Sequence, residues 1–213
     1  MNAPVTPARD CPLCPRLASF RAENRSREPD WYNAPVPSFG PLDAPLLVVG
    51  LAPGLRGANR TGRPFTGDYA GDLLYRTLLR FGLARGTYAA RPDDGLELTE
   101  ARICNAVRCV PPENKPTPAE IAACNPFLTA ELAAMPRLRA VLALGAIAHQ
   151  AVLRARGLRA SALPFSHGAQ HDLGGIVLAD SYHCSRYNTN TGRLTEAMFA
   201  AVVERLLPLL AQR

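Results

Sequence analysis

Along the chain, short apolar runs bounded by turn residues alternate with longer stretches whose apolar positions recur at helical spacing. The runs at Leu46–Leu51, Arg102–Ala106, Ala140–Leu144 and Ile176–Ser181 predict strands. Helices are predicted at Pro12–Glu23, Gly71–Phe81, Pro118–Ala134, Ala146–Arg156 and Leu194–Ala211. The third helix carries its own start signal, with Thr117 as N-cap, Pro118 at the first helical position and Glu120 at the capping-box position. Strands alternating with helices imply an α/β fold, a mainly parallel sheet covered on both faces. In such sheets ligands bind beyond the carboxyl ends of the strands. That rule gathers four segments on one rim: the loop after Leu51, Asn105–Pro112, the turn at Gly145, and Tyr182–Gly192. The proline-rich stretches Pro29–Pro45 and Pro111–Pro118 read as ordered connections, and Gly157–Gly175 as a surface excursion with room for a strand pair.

Composition narrows the class. A chain of 213 residues, 47% hydrophobic and 20% charged, fits one folded domain with a sizeable core. The longest uncharged apolar stretch, Ala140–Leu153, falls short of the roughly 20 residues that span a bilayer. The N-terminal MNAPVTPARDC has no apolar signal core, so a cytoplasmic protein without a membrane partner is expected, and a monomer. The net charge is +6, and every basic residue except Lys115 is arginine, whose planar fork suits phosphate. A codon-driven preference for arginine explains the same count, so charge supports a polyanionic partner only weakly.

Six cysteines without a secretion signal favour metal or redox chemistry over a disulfide scaffold. Cys11 and Cys14 form a C-x-x-C pair, and Cys109 and Cys124 flank a proline-rich connection. Four such sulfurs could hold one centre, a zinc ion or a [4Fe-4S] cluster, and spacing does not choose between them. The plainer alternative is that Cys109 and Cys124 are small buried residues. Cys104 and Cys184 lie near the rim and are open to a packing role.

The loop Gly50–Asp68, GLAPGLRGANRTGRPFTGD, contains five glycines and a single carboxylate, Asp68. GLAPG, NRTGRPFTGD, ICNAVRCVPPENKPTP and HCSRYNTNTGRLT, in this order, resemble the B-type (family five) uracil-DNA glycosylases, and more distantly the A-type thermostable family. The resemblance runs from the CPLC pair to the final helix. It implies a three-layer αβα sandwich with a four-stranded, mainly parallel sheet, and removal of uracil from DNA without strand cleavage. Other deaminated bases such as hypoxanthine are implied as further substrates. It also implies a structural [4Fe-4S] cluster on Cys11, Cys14, Cys109 and Cys124.

Two departures matter. Leu51 stands where A-type enzymes carry glutamate, and Ala52 where better-known glycosylases carry aspartate, so neither side chain can orient water. The HCSRYN segment lacks the prolines of the HPSPxN form, which weakens the case for a stiff DNA wedge.

Glycosidic cleavage leaves a cationic sugar and pushes charge onto the departing base, from a nucleotide that must first be flipped out of the stack. The resemblance therefore places Phe65 against the base, Asn105 at its edge, and His183 as a hydrogen-bond donor to its oxygen. Gly50, Leu51, Ala52, Pro53 and Gly54 would line the pocket with backbone and apolar surface. With positions 51 and 52 mute, Asp68 is the acid left to orient the water. Its competing role is to cap the helix that follows, and Asp72 is the runner-up. Arg56, Asn59, Arg60 and Arg63 would add donors to DNA, and Arg186, Tyr187, Asn188 and Asn190 a wedge and groove contacts. His149, His167 and His171 carry no motif and read as structural or surface residues. The rival readings are a catalytically silent iron-sulfur protein that binds nucleic acid, and a zinc-holding nucleotide-binding module.

Overall fold

In the four parallel strands nearly every residue is shielded on both sheet faces, which is why they read as mostly apolar runs rather than alternating ones. The structure, a computed structural model, describes residues 3–211. In chain order it forms α1 (Pro15–Arg27), β1 (Leu46–Gly50), α2 (Ala58–Thr61), α3 (Tyr69–Arg80), β2 (Ala84–Arg85), β3 (Glu97–Leu98) and β4 (Ala101–Asn105). A 3₁₀ turn at Pro112–Asn114 leads to α4 (Pro118–Ala134), β5 (Ala140–Leu144), α5 (Ala146–Ala155), β6 (Gln170–Asp172), β7 (Val177–Ser181), α6 (Arg186–Asn190), α7 (Glu196–Glu204) and α8 (Leu207–Leu210).

The main sheet has the order β4-β1-β5-β7-β6. Its first four strands are parallel, and β6 adds an antiparallel edge, so the sheet has five strands rather than the expected four. The excursion Gly157–Gly175 thus returns to pair with β7. Alternate residues point to opposite faces. Leu46, Val48, Ile103, Leu142 and Ala179 pack with Leu74, Leu78, Phe199 and Val203 of α3 and α7. Leu47, Val49, Val141, Ala143 and Leu178 pack with Leu128, Leu132, Ala148 and Val152 of α4 and α5. This is the αβα sandwich, with one core on each side of the sheet.

Several boundaries moved for local reasons. The first helix begins at Pro15, because Cys14 takes the extended N-cap conformation, and it runs on to Arg27. The C-terminal helix breaks at Arg205–Leu206, just ahead of Pro208, which lacks an amide to continue the ladder. The capping box of α4 is formed: the Glu120 amide donates to Thr117 Oγ1 (3.3 Å), and the Thr117 amide to Glu120 Oε2 (2.8 Å). The chain before β1 covers the outer edge of β4, where the amides of Phe39 and Ile103 donate to each other's carbonyls. Among the described residues no helix is long and apolar enough to cross a membrane.

Candidate active site

Gly50 ends β1 directly opposite Asn105, the last residue of β4. A Cβ on Gly50 would lie 2.4 Å from Asn105 Oδ1 and 2.5 Å from Phe65 Cζ. The missing side chain is therefore what lets the asparagine and the phenylalanine meet over the strand end. Phe65 adopts a left-handed backbone (φ 52°), rare for an aromatic residue. It is held there by Tyr88, whose hydroxyl donates to the Phe65 carbonyl (3.2 Å), and by the close approach of Gly71 to the same carbonyl. Its ring stacks toward His183, with centroids 6.0 Å apart and planes inclined at 29°. His183 leaves the end of β7, its carbonyl accepts from Asn188 Nδ2 (2.8 Å), and Gly145 passes behind its Cβ at the end of β5.

Phe65, Asn105 and His183 line one cavity of about 520 Å³, together with Leu51, Ala52, Pro53 and Leu55. The expected residues at positions 50 to 54, Phe65, Asp68, Asn105 and His183 thus converge, as the rim rule required. Asp68 is the N-cap residue of α3, yet its side chain makes no capping hydrogen bond. The amides of Ala70 and Gly71 temper its charge from a distance without bonding it in good geometry. Its Oδ1 is buried without a partner. Burial, resisted by those two amides, raises its pKa above the ordinary carboxylate value. A Cβ on Gly57 would fall 2.3 Å from Asp68 Oδ2, and one on Gly54 2.9 Å away. Two of the loop's glycines are therefore the space into which this carboxylate fits.

Burial pushes His183 down to about 4, so its imidazole is neutral at pH 7 and can serve as an uncharged donor. Asn105 Oδ1 is likewise buried and unpartnered, a polar atom whose complement is absent from the protein.

Several expected DNA contacts are corrected. Asn59 is buried, and its Nδ2 donates to Asn33 Oδ1 (2.8 Å), so it braces the loop from inside. Arg63 is also buried, paired with both oxygens of Asp94 (2.9 and 2.8 Å) and stacked on Phe39, Tyr75 and Tyr88. Asn188 is not overturned: its Nδ2 donates to the His183 carbonyl (2.8 Å), which clamps the loop after β7, while the side chain stays partly exposed. Arg56, Arg60, Arg186 and Tyr187 remain exposed, the last at 71%.

Asn114, Tyr69 and Ser185 also line the cavity and were not foreseen. Asn114 arrives there through two consecutive left-handed residues, Glu113 (φ 55°) and Asn114 (φ 58°). The tolerance of asparagine for that conformation, after a Pro-Pro pair, was the available signal.

Away from the cavity, Cys11, Cys14, Cys109 and Cys124 line a second, small pocket. The bidentate contact of Arg16 with Glu120 (2.8 and 2.7 Å) draws α1 against the start of α4 and brings the pairs together. The Arg108 amide points at Cys124 Sγ (3.3 Å), and Arg21 Nη1 at Cys109 Sγ (3.4 Å). Such donors favour thiolate charge, whereas burial pushes the free Cys109 thiol up to about 12. Four thiols lining one pocket, two of them facing N–H donors, suit a thiolate-bound metal centre. Cys104 and Cys184 are packed into the two sheet cores instead. His149 of α5 and His171 of β6 flank the buried Asp180 of β7 (2.8 and 3.3 Å), away from the cavity.

The site is thus a cavity of about 520 Å³ beyond the ends of the parallel strands of an αβα sandwich, walled by the Phe65 ring, the His183 imidazole, and an amide and a carboxylate that each bury one unpartnered oxygen. The chain belongs to the uracil DNA glycosylase superfamily, whose model matches residues 37–207. Within it, the chain is similar to the Type-5 uracil-DNA glycosylase of Thermus thermophilus, 50% identical over 91% of this chain and 90% of that one. It is also similar to the Type-5 uracil-DNA glycosylases of Mycobacterium leprae (45%, covering 88% and 86%) and Pyrobaculum aerophilum (42%, covering 92% and 87%).

Proposed function

We propose that this protein hydrolyses the N-glycosidic bond of uracil in DNA, leaving an abasic site. The observation that carries this reading is the convergence on one cavity of Phe65, Asn105, His183 and Asp68, whose Oδ1 is buried without a partner. The flipped base stacks on Phe65, an interaction of about 1–3 kcal/mol. Its amide edge satisfies the orphaned Asn105 carboxamide. As the bond from the sugar C1′ to the base nitrogen breaks, its electron pair leaves with the base, and neutral His183 donates a hydrogen bond to the oxygen that gains the charge. Asp68 favours the cationic sugar, orients the attacking water and accepts its proton, and a raised pKa makes it the better base.

Arg56, Arg60, Arg186 and Tyr187 provide the exposed contacts to the DNA backbone and groove. The apolar wall at Leu51 and Ala52 and the cavity of about 520 Å³ support a broader range that includes hypoxanthine. Cys11, Cys14, Cys109 and Cys124 would hold a [4Fe-4S] cluster, tying the segment that leads into α1 to α4 and to the loop before it.

The test uses duplex oligonucleotides bearing deoxyuridine or deoxyinosine, followed by alkali to cut abasic sites. Strand breaks at deoxyuridine are expected, and breaks at deoxyinosine if the pocket is as permissive as its wall. Intact strands with both substrates would defeat the reading and favour a silent DNA-binding protein.

A further inference from the structure

The geometry points to Tyr69 as a positioning residue that holds Arg186 as a phosphate clamp at the mouth of the pocket. This rests on the reading that the cavity receives a flipped nucleotide. Tyr69 is the first residue of α3, directly after Asp68, and Arg186 the first of α6, three residues after His183. Both line the cavity, and both are solvent-exposed, Tyr69 at 38%. They therefore sit at its opening, one beside Asp68 and the other beyond His183. Arg186 Cζ lies 5.4 Å from the centroid of the Tyr69 ring.

Of the three other arginines that lie over aromatic rings among the described residues, two give the contrast. Arg63 is buried over three rings and its edge is consumed by Asp94. Arg193 covers Tyr182 outside the cavity. Among the described residues Arg186 has no carboxylate partner and no side-chain hydrogen bond, and the acids of α3, Asp68 in the pocket and Asp72 one turn along, form no ion pair with it. A guanidinium seated on a ring face offers its face to the ring and keeps its in-plane N–H donors free. Those donors match the two oxygens of a phosphodiester. When a base passes into the cavity toward Phe65, its own phosphates stay at the mouth, where this fork is already oriented. Tyr69 thereby links recognition of the backbone to the segment that carries Asp68.

Steady-state cleavage of a deoxyuridine duplex over a range of KCl concentrations tests the clamp. Arg186→Ala is expected to raise KM about tenfold, and to flatten the slope of log kcat/KM against log salt by about 0.9, the signature of one lost phosphate contact. Tyr69→Ala should raise KM about two- to fivefold, with the loss falling on KM rather than kcat, and Tyr69→Phe, which keeps the ring face, should restore it. In the Arg186→Ala background Tyr69→Ala should add nothing. The proposal is overturned if Tyr69→Ala lowers kcat at unchanged KM, if the two substitutions multiply independently, or if Arg186→Ala leaves the salt slope intact. Should the wild-type protein release no uracil, the enzymatic reading fails separately. Fluorescence anisotropy with a duplex carrying a tetrahydrofuran abasic analogue then reads the clamp directly, and equal affinities for all variants overturn it.

Discussion

Asp68→Asn removes one charge and leaves the shape of the side chain nearly unchanged, so it separates two roles that predict opposite signs for stability. As the proposed water-orienting base, Asp68 would supply about 10²–10⁴ in rate. That is about 3–5 kcal/mol of transition-state stabilisation. The same carboxylate is a burden to the fold: Oδ1 is buried without a partner, and burial raises its pKa. A buried charged group left unsatisfied costs on the order of 1–3 kcal/mol, part of which an amide, itself polar, still incurs.

The folded pKa lies above the unfolded one, so the folded state binds the proton more tightly. The penalty is absent below the ordinary value near 3.8, grows as pH rises through the folded pKa, and is complete above it. At pH 8 the Asn variant should therefore melt higher than wild type, by about 1 kcal/mol or 2–4 °C for a chain of this size. The gap should close as pH falls toward 4. Single-turnover cleavage of a deoxyuridine duplex and thermal melts at pH 4, 6 and 8 measure both quantities. A variant that cleaves at the wild-type rate refutes the catalytic assignment. One that melts lower at pH 8 shows instead that Asp68 caps α3, a role worth about 1 kcal/mol, although the side chain makes no capping bond here.

Gly50→Ala, in an ordinary strand conformation, should drive Asn105 and Phe65 apart and cost about 10² in kcat/KM; wild-type activity would show that the two need not converge. Because His183 is neutral down to about pH 4, kcat/KM should have an acid limb set by Asp68 and no limb near 6.5; a limb at 6.5 that vanishes in His183→Gln would refute the neutral donor. The lowered His183 pKa also means that the unfolded chain takes up the proton first. Stability should be unaffected above pH 6.5 and fall between 6.5 and about 4, and His183→Gln should flatten that fall in urea titrations at pH 7.5 and 5. Anaerobically purified protein should be brown and contain iron and acid-labile sulfide in equal amounts, with both lost in Cys109→Ser; colourless protein holding zinc would replace the cluster with the other metal centre.

Local patterns were enough for the four buried parallel strands, the capped start of α4 and the rim where the loops gather, because each depends on neighbours a few residues apart. The short edge strand β6 was legible only as room for a strand pair within Gly157–Gly175, since its polar QHD is stabilised by pairing with β7 and has no apolar pattern of its own. Phe65 and His183 were legible through motif order, whereas Tyr69 and Asn114 were not, because a pocket wall is assembled from side chains that only the folded backbone aims.

The chain's own chemistry had already settled that Asp68 was the sole carboxylate of its loop and that four cysteines came in two pairs. Folding settled which polar residues that loop spends on itself. Asn59 and Arg63 looked like DNA contacts in the extended sequence, and burial turned both inward to Asn33 and Asp94. It left Asp68 unpaired in the space made by Gly54 and Gly57. A residue's type sets what it can do, but its access to water and to a partner is a property of long-range packing, which no local stretch of sequence contains.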